Sequence, residues 1–200
     1  MISRAFGAAL IVFCTANRPV FAEPTRWSVD LAHSRLGFVA TQAGAEFAGQ
    51  FHKFSADIVF SPDDLEHSHI DVEIDILSVD TQSRDRDSML PNADWFHASV
   101  FPKARFLADR FVAKGDGNYE AHATLTMRDI GRDVVLPFNL IIEDDPSHSD
   151  RKRAIVSGQL VLLRTVWGIG QGEWANTGAV GDKVVVTIEL TAVQGAIQGD

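Results

Sequence analysis

His67 and His69 lie two residues apart, and Asp71 and Glu73 continue the same alternation. On a strand this spacing puts two imidazoles and two carboxylates on one face, an arrangement that can hold zinc. The face is also the polar side of an alternating segment, and any solvated face carries such residues, so solvation is the preferred reading and no metal is expected. Asp30, His33 and Ser34 supply the residue types of a catalytic triad. Triads are assembled in space rather than along the chain, and a turn between two halves of a strand accounts for these three residues equally well. Gly168-Ile169-Gly170-Gln171-Gly172 has the composition of a phosphate loop. A dinucleotide loop runs from a strand into a helix, whereas residues 173–182 lead into another strand, which predicts a flexible hairpin connection. The chain has no Gly-x-Ser-x-Gly elbow and no His-Glu-x-x-His segment. No catalytic residue is assigned, and no cofactor.

The sole cysteine, Cys14, falls in an N-terminal stretch that reads as a secretory signal. Arg4 gives the positive start, residues 5–16 are apolar, Asn17-Arg18-Pro19 interrupt, and Val20-Phe21-Ala22 offers a cleavage site after Ala22. The apolar run is shorter than the roughly 20 residues a spanning helix needs, so residues 1–22 are expected to be removed and no integral membrane anchor is expected. Residues 23–200 then form one domain, exported to the periplasm. Cleavage removes the only thiol, and with it disulfides, thiolate catalysis and cysteine metal sites. It also removes two arginines, taking the formal net charge from −9 to −11. Nucleic acid and anionic lipid surfaces repel so acidic a protein.

The elements that must position any site have period two. Ser68, Ile70, Val72, Ile74 and Ile76 share one face, opposite His67, His69, Asp71, Glu73 and Asp75. Tyr119, Ala121, Ala123, Leu125 and Met127 form a second such face, and Val134, Leu136, Phe138, Leu140 and Ile142 a third. Strands are predicted near 27–41, 47–60, 69–79, 103–112, 118–127, 133–143, 154–164 and 183–192, separated by turn-rich segments. Eight antiparallel strands, each with a single apolar face, close into a barrel or stack as a sandwich. Residues 81–102 break the alternation. Ser83 is positioned to cap a short helix ended by Pro91, and Asn92 or Asp94 to start a turn carrying Trp95 and Phe96. This crossover between the third and fourth strands suits a lid over one barrel end.

Phenylalanine occurs 13 times and tryptophan 4 times, against a single tyrosine. Many of these rings fall on apolar faces. A small barrel either fills its interior with side chains or leaves room for one ligand, and Ala121 and Ala123 beside large residues favour a void.

Taken together, these segments resemble the YceI-like family of polyisoprenoid-binding periplasmic proteins over nearly all of residues 23–200. Trp27-Ser28-Val29-Asp30, His33-Ser34 and Leu36-Gly37-Phe38 resemble its opening strand, and Gly49-Gln50-Phe51 with Phe54 its second. The most specific series is Ser78-Val79-Asp80-Thr81, Arg86-Asp87, Leu90, Asp94-Trp95-Phe96, Phe101-Pro102 and Phe106. Leu125-Thr126, the run 134–138, Arg164 with Gly168-Ile169, and the run 184–192 complete it. Trp27, Met89 and Asp129 stand where the family often has Tyr, His and Gly. The resemblance implies an all-β, eight-stranded antiparallel, lipocalin-like barrel with a short helical crossover between strands 3 and 4. It implies an isoprenoid quinone or prenyl phosphate carried inside, with a homodimer left open. On this reading Phe38, Phe54, Phe106, Ala123, Leu125, Phe138 and Trp167 line the cavity, and Met89, Leu90, Trp95 and Phe96 gate it. Arg86 would either meet the lipid's polar end or serve in an ion pair with Asp87 or as a cap. The competing readings are a metal-dependent or lipid-modifying enzyme and a ligand-free structural or stress-linked interaction protein.

Overall fold

The computed structural model describes residues 25–195. It contains eleven strands: β1 (Arg26–Val29), β2 (Arg35–Gln42), β3 (Ala45–Phe51), β4 (Phe54–Val59), β5 (His69–Asp75), β6 (Val79–Asp80), β7 (Lys103–Gly115), β8 (Asn118–Met127), β9 (Ile130–Asp145), β10 (His148–Leu163) and β11 (Lys183–Gln194). One helix, α1 (Arg84–Met89), lies between β6 and β7. Every pairing is antiparallel, in the order β1-β4-β5-β7-β8-β9-β10-β11-β2-β3-β6, with β1 also paired to β11. The ring closes where β11 meets β1 through Ala192↔Val29 and β2 through Val186↔Phe38.

The eight expected strands are present, three of them broken by local polar chemistry. Between β1 and β2 the Asp30 carboxylate accepts from the Ala32 backbone N–H and starts a 3-10 turn, Leu31–His33. Strands β3 and β4 are offset at His52-Lys53, and β5 and β6 at the turn Ile76–Ser78. These two breaks interlock, because the Ser78 hydroxyl donates to the Asp75 carbonyl at 2.6 Å and accepts from Lys53 N–H at 3.0 Å. Each half then pairs with its own neighbour, β4 with β5 and β3 with β6.

One barrel end is solid. Phe60 sits edge-on to Phe111, Tyr119 and Phe138, with centroids 5.2, 5.4 and 5.9 Å away. Trp27 closes over them and donates from Nε1 to the Phe60 carbonyl at 2.9 Å. At the other end lie the β2–β3 hairpin, the crossover and the connection 164–182. Two positions there and beside it demand glycine. A Cβ on Gly170, at φ 81°, would overlap the Arg164 guanidinium, and one on Gly49 would overlap the Phe38 ring.

The crossover departs from expectation in one detail. Ser83 precedes α1 but makes no side-chain cap. The Asp87 carboxylate instead turns back to Thr81, accepting from its N–H at 2.8 Å and its hydroxyl at 2.7 Å. The following turn begins at Asn92, whose carbonyl accepts from Trp95 and His97. Among the described residues no helix is long and apolar enough to cross a membrane.

Candidate functional site

The barrel interior is not filled. Ile70, Val72 and Ile74 of β5 point inward, yet all three are only half-buried, as are Val184, Val186 and Ile188 of β11. In a solid barrel such residues would be sealed. The area they retain faces a cavity of about 260 Å³. A water needs only about 10–15 Å³ in comparable terms, so this is more than a packing defect. Its wall draws on every strand except the short β6, including Phe38, Phe47, Phe51, Phe54, Phe106 and Phe138. Among the described residues Arg164 is the one ionisable residue on that wall.

Eight of the twelve residues singled out from the sequence line this cavity: Phe38, Phe54, Leu90, Trp95, Phe96, Phe106, Leu125 and Phe138. The other four are placed elsewhere. Ala123 is 8% exposed and packed into the solid end. Trp167 is 3% exposed within the cluster of Trp95, Leu125 and Ile169, its Nε1 donating to the Leu125 carbonyl at 3.0 Å, but it is not on the cavity wall. Met89 packs half-buried against the same cluster. Arg86 sits outside the wall, where it donates from Nε and Nη2 to Thr81 and from Nη1 to Gln42, and its guanidinium lies 4.3 Å from the Phe47 ring centroid. Arg86 and Asp87 form no ion pair of their own; they meet through Thr81.

Sequence reasoning missed the group that organises this end. Arg164 is 4% exposed, and its guanidinium donates to five backbone carbonyls, those of Ile169, Gly170, Trp174, Val180 and Gly181. A guanidinium has five N–H donors, and all five are engaged. Burial lowers its pKa from the ordinary arginine value, and the nearby Asp182 opposes the shift. The glycine run is therefore a fixed turn system wrapped around a cation rather than a flexible hairpin. It is also tied to the crossover, because the Asp94 carbonyl accepts from Gly170 and Gln171 N–H at 2.8 and 2.7 Å. A lone arginine closing the apolar run of β10 was the available signal. Phe47 and Phe51 were also legible, since both fall on the inward phase of β3.

Trp95 lies where these pieces converge. It is 5% exposed, stacks at a tilt on Trp174 with centroids 5.6 Å apart, and lies 5.3 Å from the Arg164 guanidinium carbon. Its Nε1 is buried with no hydrogen-bond partner.

The alternative chemistries find different geometry. His67 belongs to the loop before β5 rather than to the strand, its Nδ1 held 2.8 Å from the Asp64 carboxylate. His69 faces Asp57 at 3.9 Å. The Asp64 hydrogen bond raises the His67 pKa. Among the described residues no group of three His, Cys, Asp or Glu side chains is arranged to hold a metal ion. His33 is exposed and bonded to Asp30 at 2.7 Å, while the Ser34 hydroxyl is engaged with the Thr191 backbone, so these residues fasten a strand break.

A YceI-like domain matches residues 27–192 of the sequence. The chain belongs to the YceI-like family. Among YceI-like relatives, a UPF0312 protein of Vibrio parahaemolyticus is 24% identical over 148 residues, covering 72% of this chain and 78% of its own. The crystal structure of BcnA from Burkholderia cenocepacia superposes with a TM-score of 0.72 at 27% identity, covering 82% of this chain and 99% of BcnA. A domain from Saccharophagus degradans, described as polyisoprenoid-binding and implicated in plant cell wall breakdown, has a TM-score of 0.64 at 14% identity. It covers 84% of this chain and 98% of its own, a likeness of fold.

Proposed function

We propose that this YceI-like barrel is an exported carrier that holds one long apolar lipid, an isoprenoid, in its interior. The observation that supports this most is the cavity itself, an apolar space closed at one end by Trp27 and Phe60 and walled by side chains from every strand but β6. Burying an apolar CH₂ is worth about 0.8 kcal/mol, so one five-carbon isoprene unit contributes roughly 3–4 kcal/mol. A few units exceed the cost of immobilising the ligand. The flexible, branched shape of such a chain suits a wall of mixed phenylalanine, valine and isoleucine. Export follows from the N-terminal signal pattern, which lies outside the described residues. The Saccharophagus domain, named for polyisoprenoid binding, lends the reading support through its fold.

Organic extraction of protein purified without detergent, followed by mass spectrometry, tests the proposal. Near-stoichiometric isoprenoid in the extract is expected. A lipid-free extract, together with no uptake of added polyprenyl lipid, contradicts it. A catalytic reading would require a reacting group on the cavity wall, and Arg164, with all five donors engaged, is the one ionisable residue found there.

A further inference from the structure

We propose that the Trp95 indole N–H is the hydrogen-bond donor for the polar end of the bound lipid, and that this end is a neutral acceptor oxygen, a carbonyl or ether, rather than a phosphate. The inference rests on the carrier reading and specifies the ligand's chemistry.

Three tryptophans are buried. Trp27 and Trp167 donate to the carbonyls of Phe60 and Leu125. Trp95 Nε1 alone has no acceptor; other atoms of its side chain lie on the cavity wall, but Nε1 itself is sealed from the space, so the ring must turn for a ligand oxygen to reach it. Buried donors are almost always paired in folded proteins, and an orphan points to a partner that completes it. An indole N–H can only donate, so the missing partner is an acceptor. The rest of the wall is apolar apart from Arg164, so the ligand's polar atom has one place to be recognised inside the barrel.

Arg164 decides which acceptor. Its charge lies close behind the Trp95 ring and favours a partial negative charge nearby. Its N–H groups, however, are all committed to the five backbone carbonyls. A buried phosphate loses its water and needs several donors to replace it. Here it would find one. The desolvation cost of that charge then exceeds its attraction to a guanidinium whose donors are spent. A carbonyl or ether oxygen needs a single donor, which Trp95 supplies.

The test uses lipid-stripped protein and three probes sharing a farnesyl tail: farnesylacetone, farnesene and farnesyl phosphate. The ketone should bind several-fold tighter than the hydrocarbon, and the phosphate weakest of the three. Trp95→Phe should weaken the ketone roughly three- to tenfold, the range expected for one hydrogen bond, and leave the hydrocarbon unchanged. A purely packing role for Trp95 would weaken both equally and overturn the proposal. Equal wild-type affinity for ketone and hydrocarbon, the outcome if water satisfies the indole, overturns it too, as does preferred binding of the phosphate. Indole nitrogen labelling supplies a readout on the unaltered chain. Of its four tryptophan signals, Trp95 alone should move downfield with the ketone and stay in place with the hydrocarbon. Failure of all three probes to bind would instead overturn the carrier reading on which the inference stands.

Discussion

Ala56 offers the sharpest way to ask whether the interior is open. It lies on β4 opposite Val72 of β5, points inward, and is half-buried because the cavity lies in front of it. Replacing Ala56 with Phe puts a ring into that space. If the space is open, the ring gains burial of about 1.5–3 kcal/mol with little strain, and the melting temperature holds or rises by a few degrees. If the barrel is already full, overpacking costs about 1–3 kcal/mol. At roughly 2–4 °C per kcal/mol for a domain of this size, the midpoint would then fall measurably. Bound lipid itself stabilises the folded state, so melting temperatures are compared on lipid-stripped proteins. Displacing one isoprene unit removes about 3–4 kcal/mol of burial, over a hundredfold in affinity, so lipid should vanish from the extract of Ala56→Phe. Differential scanning calorimetry on lipid-stripped proteins and lipid mass spectrometry on the proteins as purified give the two numbers. A lower melting temperature, with no lipid from either protein, would refute the reasoning. Ala123 is a poorer site for this test, because it is sealed within the solid end.

Arg164→Met should cost at least about 3 kcal/mol in urea unfolding, because five backbone carbonyls lose their donor together. Gly170→Ala should also destabilise, by roughly 1–3 kcal/mol for the left-handed backbone alone, with a further loss from the Arg164 overlap; calorimetry reads both variants. The Arg105 guanidinium holds the Asp71 carboxyl below the usual carboxylate range. Its contribution is therefore present above the unfolded-state value near 3.9 and lost as pH falls through the lower folded value. Asp71→Asn should flatten that acid limb of stability against pH while changing neutral stability by no more than about 1 kcal/mol, since the pair is partly exposed. N-terminal sequencing of exported protein should begin at Glu23; a mature chain starting before residue 15 would contradict the signal reading.

The barrel was legible because the alternation is strong where strands have one wet face. In β8 and β5 the inward phase is unambiguous, and the eight segments map onto the ring. What the alternation could not show was where a strand breaks, because the breaks are set by single polar side chains, Asp30, Ser78 and Asp75, acting on nearby backbone. The site was legible in part for the same reason. Phe38, Phe54, Phe106, Leu125 and Phe138 follow from phase alone. Ala123 has the right phase but the wrong height along the barrel axis, which depends on register between neighbours. Met89 ends the helix α1 and Trp167 ends a 3-10 turn, where the alternation of strands carries no information. Arg164 stayed hidden because a charged residue at a strand end ordinarily reads as solvated, and its five carbonyl partners come from the surrounding loop, as far away as Gly181.

The most direct test of the account is native mass spectrometry of the purified wild-type protein beside Ala56→Phe, both kept free of detergent. The wild-type chain should carry the mass of one isoprenoid lipid, released on unfolding, and the variant should fly at the mass of the bare polypeptide. A bare wild-type mass that stays bare after incubation with polyprenyl lipid, or an equal lipid load on both proteins, would contradict it.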